Sequence, residues 1–201
     1  MENNKNTDNR NGGPKRSFRS DSREKDSNGM PLRNIVKNND FDQLIADIRR
    51  VTRVTAGGKR MSFSVTMLLG NGKGKVGIGT AKGSDVPQAI DKAKKEAMRN
   101  LITVPIIKNT IPFQVQVKYA ASTILIKPAK EGKGVIAGGV VRDIMILAGI
   151  KNVTSKLLGG SHSAINNGKA AIKALEEITR IYTLKNEQKG KKVVAEPVLA
   201  E

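Results

Sequence analysis

The chain has 201 residues, of which 36 are lysine or arginine and 18 are aspartate or glutamate, for a formal net charge of +18. Such an excess resists compaction unless a polyanion neutralises it, which points to a nucleic-acid backbone as partner. The chain has no cysteine, which excludes a disulfide framework and thiolate metal sites, and no uncharged apolar stretch of the roughly 18 residues that span a membrane. We therefore expect a soluble cytoplasmic protein with no membrane association.

The positive charge lies in the part of the chain that can fold. Residues 1–40 and 185–201 have compositions that favour a disordered N-terminal extension and a flexible C-terminal tail. Between them, residues 41–184 hold 23 basic and 9 acidic residues, which is +14 of the +18. Because the folded part itself carries most of the positive charge, the composition predicts a preformed binding surface.

The first predicted elements form a three-stranded antiparallel meander. Residues 51–55 are mostly β-branched, and residues 60–69 alternate apolar side chains with mostly hydroxyl-bearing ones, the period of a half-buried strand. A turn with two glycines, residues 56–58, joins these strands. A second glycine-containing turn, residues 71–75, leads into a strand over 76–80.

One helix completes this first lobe, which we expect to span residues 41–108 in the order β-β-β-α. Ser84 or Asp85 can cap the helix N-terminus, and apolar residues recur at helical spacing from Val86 to Leu101. Another face of the helix carries the basic residues Lys92, Lys95 and Arg99. Such a stripe is most often a solvated face.

The second lobe, residues 109–184, opens with two predicted strands. Residues 111–118 alternate cleanly between apolar and polar side chains, and residues 122–127 are rich in β-forming types. Pro112 cannot donate a backbone hydrogen bond and therefore favours a sheet edge or the start of a strand.

A glycine-rich run, residues 132–139, follows these strands and precedes a helix over 140–148. A short strand over 153–157 and a final helix over 166–182 complete the lobe, in the order β-β-α-β-α. The predicted fold class is α+β, with two small lobes.

Basic residues concentrate in the predicted turns of both lobes. Like charges gain nothing from proximity unless an anion lies between them, so these turns are the candidate RNA contacts. The candidates are Arg49, Arg50, Arg53, Gly57, Gly58, Lys59 and Arg60 in the first turn, Lys73, Lys75 and Lys82 around the second, and Lys127, Lys130 and Lys133 in the third. A plain hairpin at the second turn and a solvated loop at the third remain open alternatives.

The glycine run that ends at Gly139 is a candidate phosphate cradle. Its last two glycines lie just before a helix start, where free N–H groups point outward. The alternative is structural, with Gly138 and Gly139 permitting close packing. The Gly-x-Gly-x-x-Gly pattern over 72–77 enters a strand instead of a helix, which argues against a dinucleotide site.

Catalysis has little support in this sequence. His162 is the only histidine, and the carboxylates are scattered among basic neighbours instead of paired on one element. We therefore predict no enzyme, no metal, no cofactor and no small-molecule substrate.

Three motifs carry a more specific signal. They are Arg50-Val51-Thr52-Arg53-Val54-Thr55-x-Gly57-Gly58, Gly70-Asn71-Gly72-Lys73-Gly74-Lys75-Val76-Gly77-Ile78-Gly79, and Lys127-Pro128-Ala129-x-Glu131-Gly132-x-Gly134-Val135-Ile136-Ala137-Gly138-Gly139-x-x-Arg142. Together they resemble the S-five family of the bacterial small ribosomal subunit. The resemblance covers about residues 41–180.

The resemblance implies both a fold and a set of partners. It implies an N-terminal lobe similar to double-stranded-RNA-binding domains and a C-terminal lobe with a β-α-β fold shared with some kinases and topoisomerase subunits. Family members bind 16S ribosomal RNA, touch the neighbouring S-four and S-eight proteins, help line the channel through which messenger RNA enters, and influence decoding accuracy. In the family, the motif that contains Gly134, Gly138, Gly139 and Arg142 lies toward the S-four protein.

Two alternatives of other classes are weighed against this reading. One is an enzyme of the kinase-like fold that uses the glycine loop to hold a phosphate, although the chain has no evident base or metal carboxylate. The other is a free RNA chaperone, which predicts loose binding to many nucleic acids. The chain also departs from the family at His162-Ser163-Ala164, where the family often carries Asn-Pro, and in its long N-terminal extension.

Overall fold

The structure, a computed structural model, describes residues 36–37 and 41–194, with side chains over 41–187. The N-terminal domain is one antiparallel sheet and one helix. Its elements are β1 (Val36–Lys37), β2 (Asp42–Thr55), β3 (Gly58–Gly70), β4 (Lys75–Gly83), α1 (Val86–Arg99) and β5 (Leu101–Thr103). The sheet order is β1-β2-β3-β4-β5, so the predicted meander forms its centre.

The C-terminal domain is a four-stranded sheet with two helices. Its elements are β6 (Val115–Tyr119), β7 (Ser122–Pro128), β8 (Val135–Ile136), α2 (Gly139–Ala148), β9 (Val153–Leu157) and α3 (Ala164–Val194). The sheet order is β6-β7-β9-β8, with only β8 and β9 parallel. This confirms the predicted α+β class, and the two-residue β8 is the only strand that the predicted order of this domain lacks.

Several predicted boundaries differ from the observed ones. The strand expected over 111–118 begins at Val115, because the segment around Pro112 bends before the pairing with β7 starts. The final helix continues to Val194 instead of ending near residue 182. Its last residues are mostly straight-chain helix formers, which sustain a helix without an apolar stripe.

The predicted tails are therefore partly structured. The C-terminal tail, residues 185–201, is helical as far as Val194. Residues 36–37 of the N-terminal extension pair with β2. The rest of both tails lies outside the described residues.

β3 is buried on both faces over its second half, where the alternation predicts a half-buried strand. Val65, Met67 and Leu69 pack against α1 in a small separate core, whose fully buried helix residues are all alanines. Leu68, on the opposite face of β3, belongs to the main core with residues of α2 and α3. The N-terminal sheet is thus covered by its own helix on one face and by the C-terminal domain on the other.

The two domains meet through backbone contacts as well as side chains. The N–H groups of Gly72 and Gly74 donate to the carbonyl oxygens of Leu147 and Ala148 at 2.9 and 2.8 Å. These contacts fix the turn between β3 and β4 against the C-terminal end of α2. Gly149 ends α2 with a φ of +85°, and a Cβ built there lies 2.0 Å from the carbonyl oxygen of Gly72.

Candidate nucleic-acid interface

We call residues 48–61 of β2 and β3 the ribbon, and its outer part, residues 51–61, extends beyond the rest of the sheet. The pairing of β3 with β4 ends at Phe63, so within the described residues the ribbon continues as two strands alone. All of its residues are exposed except half-buried Val51. The turn contains Gly57 and Gly58, and Gly58 has a φ of +130°, a conformation that favours glycine.

The basic residues of the ribbon lie on both of its faces. Successive residues of a strand point to opposite faces, and the register places Arg53 directly across from Arg60. One face therefore carries Arg49, Arg53 and Arg60, and the other carries Arg50 and Lys59. Like charges directly opposite each other destabilise a strand pair, so the Arg53–Arg60 pair is favourable only with an anion nearby.

Arg49 and Lys82 continue one of these faces toward the domain body. Ser64 on β3 pairs with both residues, so Arg49 and Lys82 lie in one row across three strands. Arg49 Nε also donates to Asp47 Oδ2 at 2.5 Å. Part of the Arg49 charge is therefore neutralised within the chain, a contact that the sequence analysis did not identify.

The turn between β3 and β4 presents Lys73 and Lys75, which are both exposed. The side-chain oxygen Oδ1 of Asn71 accepts hydrogen bonds from the N–H groups of Lys73 and Lys75 at 2.8 and 3.0 Å. Since Gly72 and Gly74 bond to the end of α2, this turn has a fixed backbone. It is more than a plain hairpin turn, because it also joins the two domains.

The third basic turn, residues 127–133, exposes all of its predicted contacts. Lys127 ends β7, and the N–H of Lys133 donates to the carbonyl oxygen of Lys130 at 3.2 Å. Gly132 has a φ of +82° with open space around it. The three lysines are exposed in the free chain.

The segment from Gly134 to Arg142 leads into α2. Gly134 is buried, and its N–H donates to Asn152 Oδ1 at 3.1 Å. Gly138 caps α2 and Gly139 begins it with a φ of +46°, and a Cβ built at either glycine meets no atom within 4 Å. The alternative that these two glycines permit close packing is therefore wrong, although the φ of Gly139 still favours glycine. Arg142 lies half-buried in the first turn of α2.

Asn152 is a buried polar residue whose structural role no local sequence pattern predicts. Besides Gly134, it bonds the 107–110 loop, because its N–H donates to the Asn109 carbonyl at 3.0 Å and its own carbonyl accepts from Thr110 Oγ1. Asn152 lies in the short loop between α2 and β9, where the sequence has no periodic pattern that would predict these hydrogen bonds. The end of α2 and the segment that follows it thus hold the second turn, the 107–110 loop and the start of the Gly134 segment near one another.

The described residues offer little for catalysis. No group of three histidine, aspartate or glutamate residues within that part of the chain is arranged to hold a metal ion, and His162 is exposed. A cavity of about 440 Å³ lies between α1, β4 and α3, lined by side chains such as Glu96, Lys169 and Lys173. The glycine run over residues 132–139 does not line this cavity. No described helix is long and apolar enough to cross a membrane.

Comparison with known proteins connects this architecture to the ribosome. Two family models match the chain, "Ribosomal protein S5, N-terminal domain" over residues 41–105 and "Ribosomal protein S5, C-terminal domain" over residues 117–199. A relative from Campylobacter jejuni is 50% identical over 136 residues, covering 68% of this chain and 92% of its own length. Relatives from Thermotoga neapolitana and Chloroflexus aurantiacus are 46% and 43% identical, over 71% and 72% of this chain and 80% and 81% of their own lengths. All three are named "Small ribosomal subunit protein uS5".

The two α+β domains, their exposed basic turns and these matches define a structural protein of the small ribosomal subunit and not an enzyme. The chain belongs to the ribosomal protein S5 family. The resemblance stated from the sequence motifs is thereby confirmed.

Proposed function

We propose that the chain binds 16S ribosomal RNA through the ribbon and the basic turns of both domains, and so supports assembly of the small subunit. The observation that carries this proposal is the ribbon, whose two faces both present cations. The face of Arg50 and Lys59 also exposes Ile48, Val54 and Met61, and Val54 is 69% exposed. A ribbon with cations on both faces and exposed apolar groups on one of them suits insertion between RNA segments more than contact along one side.

The remaining basic turns give the same chain additional RNA contacts. Lys73, Lys75 and Lys82 lie in the N-terminal domain, and Lys127, Lys130 and Lys133 in the C-terminal domain. Through the family resemblance, the chain contacts messenger RNA near the channel where it enters, lies beside the S-four and S-eight proteins, and works in the cytoplasm. We propose domain boundaries of 41–108 and 109–184 for these two RNA-binding units.

Salt dependence tests the proposed RNA binding. Each phosphate contact releases counterions and adds about −0.7 to −0.9 to the slope of log affinity against log salt. With at least five such contacts, we expect a slope of roughly −4 or steeper for the full chain titrated onto a 16S rRNA transcript. Fluorescence anisotropy between low and moderate salt measures it. An affinity that barely changes with salt contradicts the proposal.

We further propose that the segment from Gly134 to Arg142 meets a protein neighbour and thereby influences decoding accuracy. Arg142 is a rigid, permanently charged donor in the first turn of α2, suited to pair with a carboxylate across an interface. α2 also bonds through its C-terminal end to the turn at the base of β3 and β4. A partner bound at the start of α2 is therefore coupled rigidly to the N-terminal domain.

Arg142→Leu tests this second proposal. Removing the charged donor shifts the balance between accurate and permissive subunits, and a coupling change of about 1 kcal/mol changes error frequency by roughly two- to fivefold. Stop-codon readthrough and missense reporters measure it in cells that carry only the variant. Arg180→Leu, an exposed arginine of α3, is the matched control. Equal error frequencies in both variants, at normal subunit levels, would leave Arg142 a packing residue.

A further inference from the structure

Among the described residues, only one face of the sheet of the C-terminal domain is covered by helices. The covered face includes Val115, Ile124, Ile126 and Val153, which belong to the main core with α2 and α3. The opposite face consists of the alternate residues of the same strands. They are Gln116 and Lys118 on β6, Thr123, Leu125 and Lys127 on β7, Thr154 and Lys156 on β9, and Ile136 on β8.

This open face, which we call the lysine face, carries charge of one sign. Lys118, Lys127 and Lys156 are exposed on three adjacent strands, and none of its eight positions is a carboxylate. Lys156 pairs with Leu125, two residues before Lys127, and Lys118 pairs with Thr123. With strands about 4.8 Å apart and a rise of about 3.4 Å per residue, the Cα atoms of the three lysines lie roughly 8 to 14 Å apart.

We propose that the lysine face binds the phosphate backbone of a ribosomal RNA helix. The inference rests on the RNA binding proposed above and extends the contact at the third basic turn across the sheet of the C-terminal domain. Only Lys127 of its three lysines was among the contacts predicted from the sequence. The other two lie in strands, where no glycine turn draws attention to them.

The composition of the face favours RNA over a protein partner. Lysine is depleted in the cores of protein–protein interfaces, whereas lysine and threonine side chains are common phosphate contacts. Three lysines and two threonines make up most of this face. It has no aromatic residue on which an unpaired base could stack, which favours the backbone of a helix over a single strand.

The lysine face is continuous with the third basic turn. Lys127 belongs to both, and the turn that carries Lys130 and Lys133 connects β7 to Ile136 on the edge strand β8. Because the bonds of Gly72 and Gly74 to α2 fix the domains together, the ribbon and the lysine face are held at a constant separation. Two such sites on one rigid molecule bind one RNA more tightly than either site alone.

A triple variant, Lys118→Gln with Lys127→Gln and Lys156→Gln, tests the inference in the full chain. Its matched control is Lys92→Gln with Lys95→Gln and Arg99→Gln, which removes the same charge from the exposed face of α1. Titrated onto a 16S rRNA transcript at several salt concentrations, the lysine-face variant loses about 2 to 3 from the steepness of the salt slope and binds roughly tenfold or more weakly. The control keeps the slope of the parent chain. Equal slopes for the two variants would overturn the inference.

A measurement on the unmodified chain removes any dependence on how the variants fold. Lysine acetylation with and without the transcript reports which ammonium groups the RNA covers. We expect protection of Lys118, Lys127 and Lys156 but not of Lys92 and Lys95. Undiminished acetylation of the first three would also overturn the inference.

Three outcomes identify what has failed. If the parent chain shows no salt-dependent binding, the proposed function fails and the inference fails with it. If the parent binds as expected but the triple variant matches the control, only the lysine face is excluded. If that variant keeps its RNA affinity yet no longer enters the small subunit, the face binds a protein, which contradicts the proposal.

Discussion

Gly149→Ala is expected to lower the free energy of unfolding by about 3 kcal/mol or more, which corresponds to a melting temperature lower by roughly 6 to 12 °C. Two effects combine at this position. The φ of +85° disfavours any residue with a Cβ, and that Cβ lies 2.0 Å from the carbonyl oxygen of Gly72. The oxygen belongs to a turn whose N–H groups bond to α2, so relief of the clash must open the contact between the domains.

Gly132→Ala separates the two effects. Gly132 has a similar φ of +82°, but no atom lies within 4 Å of a Cβ built there. This control therefore carries only the backbone cost, about 1 to 2 kcal/mol. Thermal unfolding followed by circular dichroism measures both variants. Melting temperatures that fall by the same amount would show that the close approach of Gly72 and Gly149 does not hold the domains together.

Elements with a strong local signal could be predicted from the sequence. The alternation over residues 60–69 predicts β3, and the glycine after a run of apolar residues predicts the end of α2. Such signals depend only on neighbours along the chain. The burial of the other face of β3 could not be predicted in this way. The helix that covers that face, α2, lies some seventy residues further along the chain.

Gly149 illustrates how a correct local prediction can be incomplete. The sequence identifies it as a helix stop, and the structure agrees. Its contact with Gly72 depends on how two domains meet, which no periodicity encodes. The contacts of Asn152 could not be predicted for the same reason, because its partners Gly134 and Asn109 are distant in sequence.

For the candidate RNA contacts, the sequence predicts exposure better than it predicts their arrangement in space. Their exposure was expected from composition, but their division between two faces was not stated. The odd separation of Arg50 and Arg53 within a strand already implies opposite faces, so this signal was present in the sequence. The direct pairing of Arg53 with Arg60, in contrast, requires the register of the hairpin.

Replacing this opposed pair, Arg53→Gln with Arg60→Gln, is expected to weaken binding to 16S rRNA by roughly tenfold or more. The same change leaves the free energy of unfolding unchanged or raises it slightly, because it removes a repulsion between like charges directly across two strands. If this residue pair stabilised the fold, its replacement would instead lower the free energy of unfolding. Binding and stability therefore respond in different directions.

The measurement that tests the central claim most directly is the affinity of this double variant for a 16S rRNA transcript, set beside its melting temperature. Lys92→Gln with Lys95→Gln, which removes two exposed charges from α1, is the control for net charge. We predict a loss of roughly tenfold or more for the ribbon variant, a change within about twofold for the control, and no fall in melting temperature. An affinity equal to that of the control, or a lower melting temperature with unchanged affinity, would contradict the claim that the ribbon contacts RNA in this ribosomal protein.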